Sequence, residues 1–347
     1  MHWQFHYPKR LSFYPPDFED PGLGGSEAAL VLLTRALASR GHTVEVFNCC
    51  WKPGVYDGVS WRPTCELPTS CAPDVAVAVR FEEAIWSSHA RRNMFWMLDD
   101  RPAGANAFFT RYGEAGTIVV SSSAQHLRLR DLDPRAHVTR SPLPVEVSRF
   151  NPHHEREKAC LFCSMPNRGL DVALRIWPEI KRRIPGASLW VTGGWELWGY
   201  CRAEAEDRWQ EILEKSPISD GVTIFRALPR PRLIELQQKA TLALYPCRFP
   251  EMFCLSAAEC SAAGTPMVTS AMEALTERVK DGETGILVPG PIDSPAVQEQ
   301  FVAHAVTLLT DPSTWQKYSS RSREIALHYE AEGVAQNWEA LAQCPHS

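Results

Sequence analysis

The stretch from Cys247 to Glu277, C-R-F-P-E-M-F-C-L-S-A-A-E-C-S-A-A-G-T-P-M-V-T-S-A-M-E-A-L-T-E, constrains the fold more than any other part of the chain. Its small apolar run reads as a helix stopped by Gly264-Thr265-Pro266: Gly264 suits a left-handed helix end, and Pro266 prevents the helix from resuming. Pro266 to Thr269 then reads as a buried strand, so the segment is loop, short helix, strand, loop. Glu251 falls in the loop and Glu259, eight positions later, in the helix. The backbone N–H groups of Met252, Phe253 and Cys254 are expected to open that helix beside Glu251. Such an end carries roughly half a positive elementary charge and draws phosphate. Together these features read as a site for a ligand with a phosphate and several hydroxyls.

Two glutamates eight positions apart are common by chance, but their ordered context is not. P-E-M-F, then A-A-E, then A-A-G-T-P, a hydrophobic strand and A-L-T-E resemble the donor-site signature of retaining family-4 glycosyltransferases of the GT-B fold, the E-x7-E motif. The resemblance implies transfer of a hexosyl unit from a nucleotide diphosphate sugar, UDP-sugar favoured and GDP-mannose possible, with retention of configuration. The acceptor would be a hydroxyl of a small molecule, a glycan or a lipid-linked compound. By the same resemblance Glu251 accepts hydroxyls of the donor sugar and Glu259 accepts the ribose diol; a carboxylate has lone pairs enough for two such bonds. Gly194, after a strand of the second half, and Arg226, within the Phe225 to Leu228 region expected to meet the base, complete the donor set.

At 347 residues the chain is long enough for two domains, and 44% hydrophobic with 22% charged residues is the composition of a globular protein. A net charge of −5 gives no global pull toward nucleic acid. No apolar run approaches a membrane span, and the first residues are no signal peptide, so a cytoplasmic protein is expected. The 11 cysteines are an odd, scattered set that fits reduced thiols. Cys160 and Cys163 form one C-x-x-C within a strand, and without a second pair zinc is not expected.

Read in order, the chain alternates strands and helices twice. Phe5 to Tyr7 begins a strand, and Pro8 to Pro21 is a proline-rich loop. Gly24-Gly25-Ser26-Glu27 opens a helix, with Ser26 as N-cap, and resembles the family's G-G-x-E loop, which faces the donor phosphates and the acceptor from the first domain. Strands follow at Thr43 to Phe47, Asp74 to Val79, Met94 to Leu98 and Thr117 to Ser121; Cys49 to Pro73 reads as loop. The second half has strands at Ala159 to Ser164, Ala187 to Thr192, Val222 to Phe225 and Thr241 to Tyr245. Its helices run over Arg168 to Arg183 and Arg230 to Lys239, and the chain is helical from Ser294 to Gln343. The fold class is thus α/β: two doubly wound Rossmann-like domains facing across a cleft, with ligands at the carboxyl ends of the strands. Residues 1–150 form the acceptor domain, 151–325 the donor domain, and 326–347 a helix that the resemblance returns to the first domain.

The departures bear on chemistry. Family members carry an arginine and then a lysine after the first strand of the second domain, both on the diphosphate. Here Arg168 matches the lysine, while Phe162 and Cys163 stand where the arginine belongs, so neutralisation leans on Arg168, the helix start, and Arg248 or Arg226. In W-M-L-D-D-R-P, Asp99 and Asp100 replace a histidine near sugar and acceptor; they read either as a solvated strand-end turn or as an acceptor or base. Asp131 and Asp133 match a D-x-D metal motif but lie in an arginine-rich segment. Glu251, Arg168 and Asp99 are therefore the catalytic candidates, no metal or other cofactor is expected, and chelation should leave activity intact. Two alternatives stand: an inverting GT-B enzyme with Asp99 or Asp100 as base, and a non-catalytic nucleotide-sugar-binding partner of another glycosyltransferase. Trp51, Trp61, Trp86 and Trp96 read equally as core or as sugar-stacking surface.

Overall fold

The computed structural model describes residues 1–8, 11–66, 72–86, 88–151 and 155–343. Parts of the expected loops, residues 9–10 and 67–71, lie outside the described residues, as do 344–347 of the expected last segment. The chain forms two compact units. The first gathers Met1–Asp17, Ser26–Pro144 and the described residues from Glu330 onward; the second gathers Phe18–Gly25 and Val145–Tyr329.

In the first unit the strands are β1 (His2–Tyr7), β2 (Thr43–Asn48), β3 (Gly54–Tyr56), β4 (Val59–Pro63), β5 (Val75–Val79), β6 (Arg92–Trp96), β7 (Gly116–Val120) and β8 (His137–Arg140). Its first helices are α1 (Gly25–Ser39), α2 (Pro102–Tyr112) and α3 (Ser123–Leu127). The sheet order is β3-β4-β2-β1-β5-β6-β7-β8, parallel except for the β3–β4 pair. The V-A-V-A-V of β5 is buried at every position, as a parallel strand covered on both faces requires.

The expectation of loop from Cys49 to Pro73 is corrected: β3 and β4 lie there. The signal was present, because Asp57 and Gly58 both adopt positive φ and Asp-Gly is the residue pair that closes a tight hairpin. Trp61, which with the neighbouring proline and glycine reads as loop, is an inward residue of β4 and buried. Trp96 is also core, whereas Trp51 and Trp86 are exposed.

The second unit holds β9 (Glu157–Cys163), β10 (Ser188–Thr192), β11 (Val222–Arg226), β12 (Ala240–Tyr245), β13 (Met267–Ser270) and β14 (Gly285–Val288). Between and after them run α4 (Leu170–Arg183), α5 (Arg202–Lys215), α6 (Arg230–Lys239), α7 (Leu255–Ala262), α8 (Leu275–Arg278), α9 (Pro295–Thr310) and α10 (Pro312–Ala326). The sheet is all parallel in the order β11-β10-β9-β12-β13-β14. The chain thus leaves β9 for one edge and returns to β12 for the other, which makes the β9/β12 crevice the topological switch point. In the first unit the same logic puts the switch point between β1 and β5. Open α/β sheets bind ligands at such points, beyond the carboxyl ends of the strands.

Gly264 ends α7 at φ +66, with Thr265 N–H donating to the Cys260 carbonyl at 2.8 Å. Arg156 reinforces that end: Nη2 donates to the Ala263 carbonyl at 2.5 Å and Nη1 to the Ala240 carbonyl, just past α6, at 2.9 Å. A cation on helix C-terminal carbonyls is favourable.

The last helix, α11 (Ala331–Gln343), belongs to the first unit. Trp338 packs on Trp3, Phe5 and Trp96 with ring centroids 6.4, 6.1 and 5.0 Å away. Glu339 accepts from Arg40 Nη2 at 2.8 Å and pairs with His42 at 2.7 Å; the Arg40 hydrogen bonds hold its carboxyl at about 2. Among the described residues no helix is long and apolar enough to cross a membrane.

His6, on β1, packs on Phe47 with ring centroids 5.4 Å apart, and among the described residues both its ring nitrogens are buried without a partner. Burial, opposed in part by the Glu45 carboxylate, lowers its pKa from 6.5 to about 4. The unfolded chain therefore takes up this proton before the folded one does. The stabilisation is full above pH 6.5 and is lost as pH falls toward 4, a difference of about 3 kcal/mol. His6→Phe should flatten that part of the stability curve, measured by urea unfolding between pH 4 and 7.5. Parallel curves for the two proteins would refute it.

Candidate functional site

The second unit's switch point is built by the residues that follow β9 and β12. After Cys163 a single tight turn delivers Arg168, and Gly169 follows at φ +130. A Cβ on Gly169 would lie 2.0 Å from the Pro246 carbonyl, so only glycine lets the two loops pass. The Arg168 guanidinium lies over Phe249 at 4.2 Å and Trp198 at 5.5 Å. Its Nη1 donates to Glu251 Oε1 at 2.7 Å. Tyr245, the last residue of β12, donates its hydroxyl to the same oxygen at 2.6 Å, and Ser164 Oγ donates to Tyr245 at 3.1 Å. Burial, and next to it the Glu251 carboxylate, push the Tyr245 phenol well above its usual pKa, so it stays a donor. Glu251 is 5% exposed, and its Oε1 meets one cation and one hydroxyl.

Two residues expected together are therefore joined, Arg168 and Glu251, with Ser164 and Tyr245 unforeseen. Ser164 and Tyr245 had one legible signal: each lies at the end of a parallel strand. The expectation that Met252, Phe253 and Cys254 amides open the helix is corrected, because α7 begins at Leu255. Cys254 is its N-cap in the left-handed conformation, at φ 67, and the first-turn amides belong to Leu255 and Ser256. Phe253 is buried instead, with Arg278 over its ring at 4.4 Å and Tyr329 edge-on at 5.7 Å. Glu259, on α7, accepts from Arg230 Nη1 at 2.6 Å through Oε1 and from Gln237 Nε2 at 3.0 Å through Oε2.

Gly24 and Gly25, expected in the first domain, group with the second unit. Gly25 sits beside Leu255, with a hypothetical Cβ 3.5 Å from the Leu255 Cβ, so it borders the start of α7. Ser26 is not the N-cap; α1 already includes Gly25. Gly194 follows β10, where a Cβ would lie 2.3 Å from Glu196 Oε2. The two supplementary cations are engaged elsewhere: Arg226 pairs with Glu206 at 2.7 Å and lies over Trp209, and Arg248 pairs with Asp171 at 2.6 Å.

The first unit's switch point carries its own charged cluster. Glu27, from the G-G-x-E sequence, accepts from the Tyr7 hydroxyl at the end of β1. Arg80, just past β5 at φ 66, reaches Tyr7 at 3.3 Å and Glu27 at 3.6 Å. Its Nε donates to Asp99 Oδ2 at 2.6 Å. Asp99 is thus ion-paired, with its side chain still 38% exposed at the strand-end bend. Buried Gln125 fixes its backbone, Nε2 donating to the Asp99 carbonyl at 3.0 Å. Asp100 lies 3.9 Å from Arg128. Asp131 and Asp133 pair with Arg130 and Arg135, and hydrogen bonds from Arg135 hold the Asp133 carboxyl at about 2. Among the described residues no group of three metal-binding side chains converges.

The chain was compared with known proteins. Residues 151–325 match the model of the family "Glycosyl transferases group 1". A D-inositol 3-phosphate glycosyltransferase of Kribbella flavida is 31% identical over 166 residues, covering 48% of this chain and 35% of that protein. The chain thus spans about a third of the length of that relative. A GDP-mannose-dependent alpha-(1-6)-phosphatidylinositol monomannoside mannosyltransferase of Mycobacterium tuberculosis is 27% identical over 78% of this chain and 83% of its own length. The structure of Anabaena HepE in complex with UDP and glucose aligns with TM-score 0.73 over 99% of this chain and 100% of that one, at 14% identity. That likeness is one of fold, the two Rossmann-like units of the GT-B class. The matched stretch spans β9 to β14 and contains Arg168, Glu251 and Glu259, and by it the chain belongs to the glycosyl transferases group 1 family.

Proposed function

We propose that the chain transfers a hexosyl unit from a nucleotide diphosphate sugar to a hydroxyl of a small-molecule, glycan or lipid-linked acceptor, with retention of configuration. The observation that carries this is the convergence of Arg168, Tyr245 and Glu251 at the β9/β12 switch point, beside the start of α7. The bond from the anomeric carbon to the diphosphate oxygen breaks with its electron pair going to the diphosphate. The acceptor oxygen then bonds that carbon on the same face and its proton passes to the departing oxygen. Arg168 and the Leu255 and Ser256 amides take up charge on the diphosphate, while Glu251 stabilises the cation-like sugar. Glu259 accepts the ribose diol. Asp99, tied to Arg80, is poorly disposed to act as the base of an inverting reaction.

UDP-sugars are the favoured donors, in keeping with the UDP and glucose bound to HepE; the mannosyltransferase relative keeps GDP-mannose in view. The reaction needs no metal, a reading supported by the pairing of Asp131 and Asp133 with arginines. A cytoplasmic site of action agrees with the nine free cysteines among the described residues.

The test is turnover by the purified protein with a panel of UDP- and GDP-sugars, with and without EDTA. Nucleoside diphosphate release that persists in EDTA, with retained product stereochemistry, is expected. Tight donor binding without turnover by the protein alone would favour the non-catalytic partner. Activity that needs added magnesium or manganese would overturn the metal-free scheme.

A further inference from the structure

Glu259 and Arg230 are each 5% exposed, and Gln237 is fully buried. Arg230 binds Glu259 Oε1 from one side and Gln237 binds Oε2 from the other, at 2.6 and 3.0 Å. A carboxylate offers about four lone-pair positions. Among the described residues one protein donor meets each oxygen, which leaves about one position on each. Two adjacent free positions in a fixed plane match two vicinal hydroxyls, and the plane can be fixed only by the groups already bonded. Arg230 is itself held: Phe18 and Phe150 flank its guanidinium at 5.1 and 5.9 Å, and its backbone N–H donates to the Glu19 carbonyl at 2.8 Å. Among the described residues its Nε and Nη2 are buried with no acceptor, so the ion pair to Glu259 is the side-chain bond that orients it. Holding a buried cation with two donors unmet costs stability, which argues for a role beyond packing.

Resting on the reading of Glu259 as the ribose acceptor, we propose that Arg230 and Gln237 are positioning residues that set the carboxylate plane, and so determine how strongly the protein selects ribose over deoxyribose nucleotides. Neither touches the nucleotide in this scheme. The effect is therefore on discrimination rather than on diphosphate affinity, which Arg168 and the helix amides supply.

The experiment is calorimetric binding of UDP and 2′-deoxy-UDP, with GDP and 2′-deoxy-GDP in parallel, to the full chain and to Arg230→Met, Arg230→Lys and Gln237→Leu. The parent should prefer the ribo form of its nucleotide by at least about tenfold, the scale of a charge-assisted hydrogen bond. Arg230→Met and Gln237→Leu should bring that ratio within about threefold of unity, and Arg230→Lys should restore part of it. A merely structural role would weaken both nucleotides alike and leave the ratio unchanged. Should Arg230→Met fail to fold, Gln237→Leu removes the Oε2 donor without stranding a charge and carries the test alone. A parent ratio near one would sink the ribose reading of Glu259 and this proposal with it. A high parent ratio retained in the variants would overturn the proposal and leave that reading standing.

Discussion

Glu251→Gln should lower turnover by a factor on the order of 10² to 10³, the loss seen when a preorganised electrostatic group is removed from a reacting centre. Glutamine keeps the shape and one oxygen for the Tyr245 hydroxyl, which now donates to Glu251 Oε1 at 2.6 Å. It removes the negative charge set beside the developing sugar cation. The fold should survive, because the substitution leaves no cavity; the cost is an Arg168 guanidinium without its counter-charge, still lying over Phe249 and Trp198. We expect nucleoside diphosphate affinity to change little, since the phosphate-binding cation and the α7 amides are intact. Steady-state rates with the best donor from the panel, beside thermal melts, check this. Parent-like turnover by a folded variant would remove Glu251 from the chemistry.

Trp338→Ala should destabilise the first unit by about 3–5 kcal/mol, the range for deleting a large buried aromatic. The side chain is wholly buried between Trp3, Phe5 and Trp96, from strands β1 and β6. Its indole N–H has no partner among the described residues, so the loss is one of packing and not of a hydrogen bond. For a unit of this size the melting temperature should fall by roughly 10 °C. Trp338→Phe should recover part of the loss. Because the two units need not unfold together, calorimetry that resolves the lower transition is the suitable measurement. A midpoint within 2 °C of the parent would mean that α11 is an accessory to the first unit.

Elements whose information is local were legible in the chain alone. A helix stop at Gly264-Thr265-Pro266 and the apolar runs of β5, β12 and β13 needed no partner to be read, since periodicity and special backbone angles act within a few residues. The ordered context around Glu251 and Glu259 likewise identified the family. Where the reading failed, the deciding interaction was distant or the local cue was overruled. The strand β4 was hidden by its tryptophan and proline, which signify loop until β2 supplies a parallel neighbour. The start of α7 moved to Leu255 because Cys254 takes a left-handed angle that its residue type does not advertise.

Which lone pairs and charges are already used follows from the three-dimensional packing and not from any local pattern. Arg168 and Glu251 are 83 positions apart and Arg230 and Glu259 are 29, yet each pair meets within 2.7 Å. Asp99 is claimed by Arg80, and Arg226 and Arg248 by carboxylates, though all three looked free in the sequence. The physical reason is the order of the strands. A parallel sheet that leaves β9 for one edge and returns at β12 brings the ends of those two strands together, and no local pattern in the chain specifies which side chains then meet there.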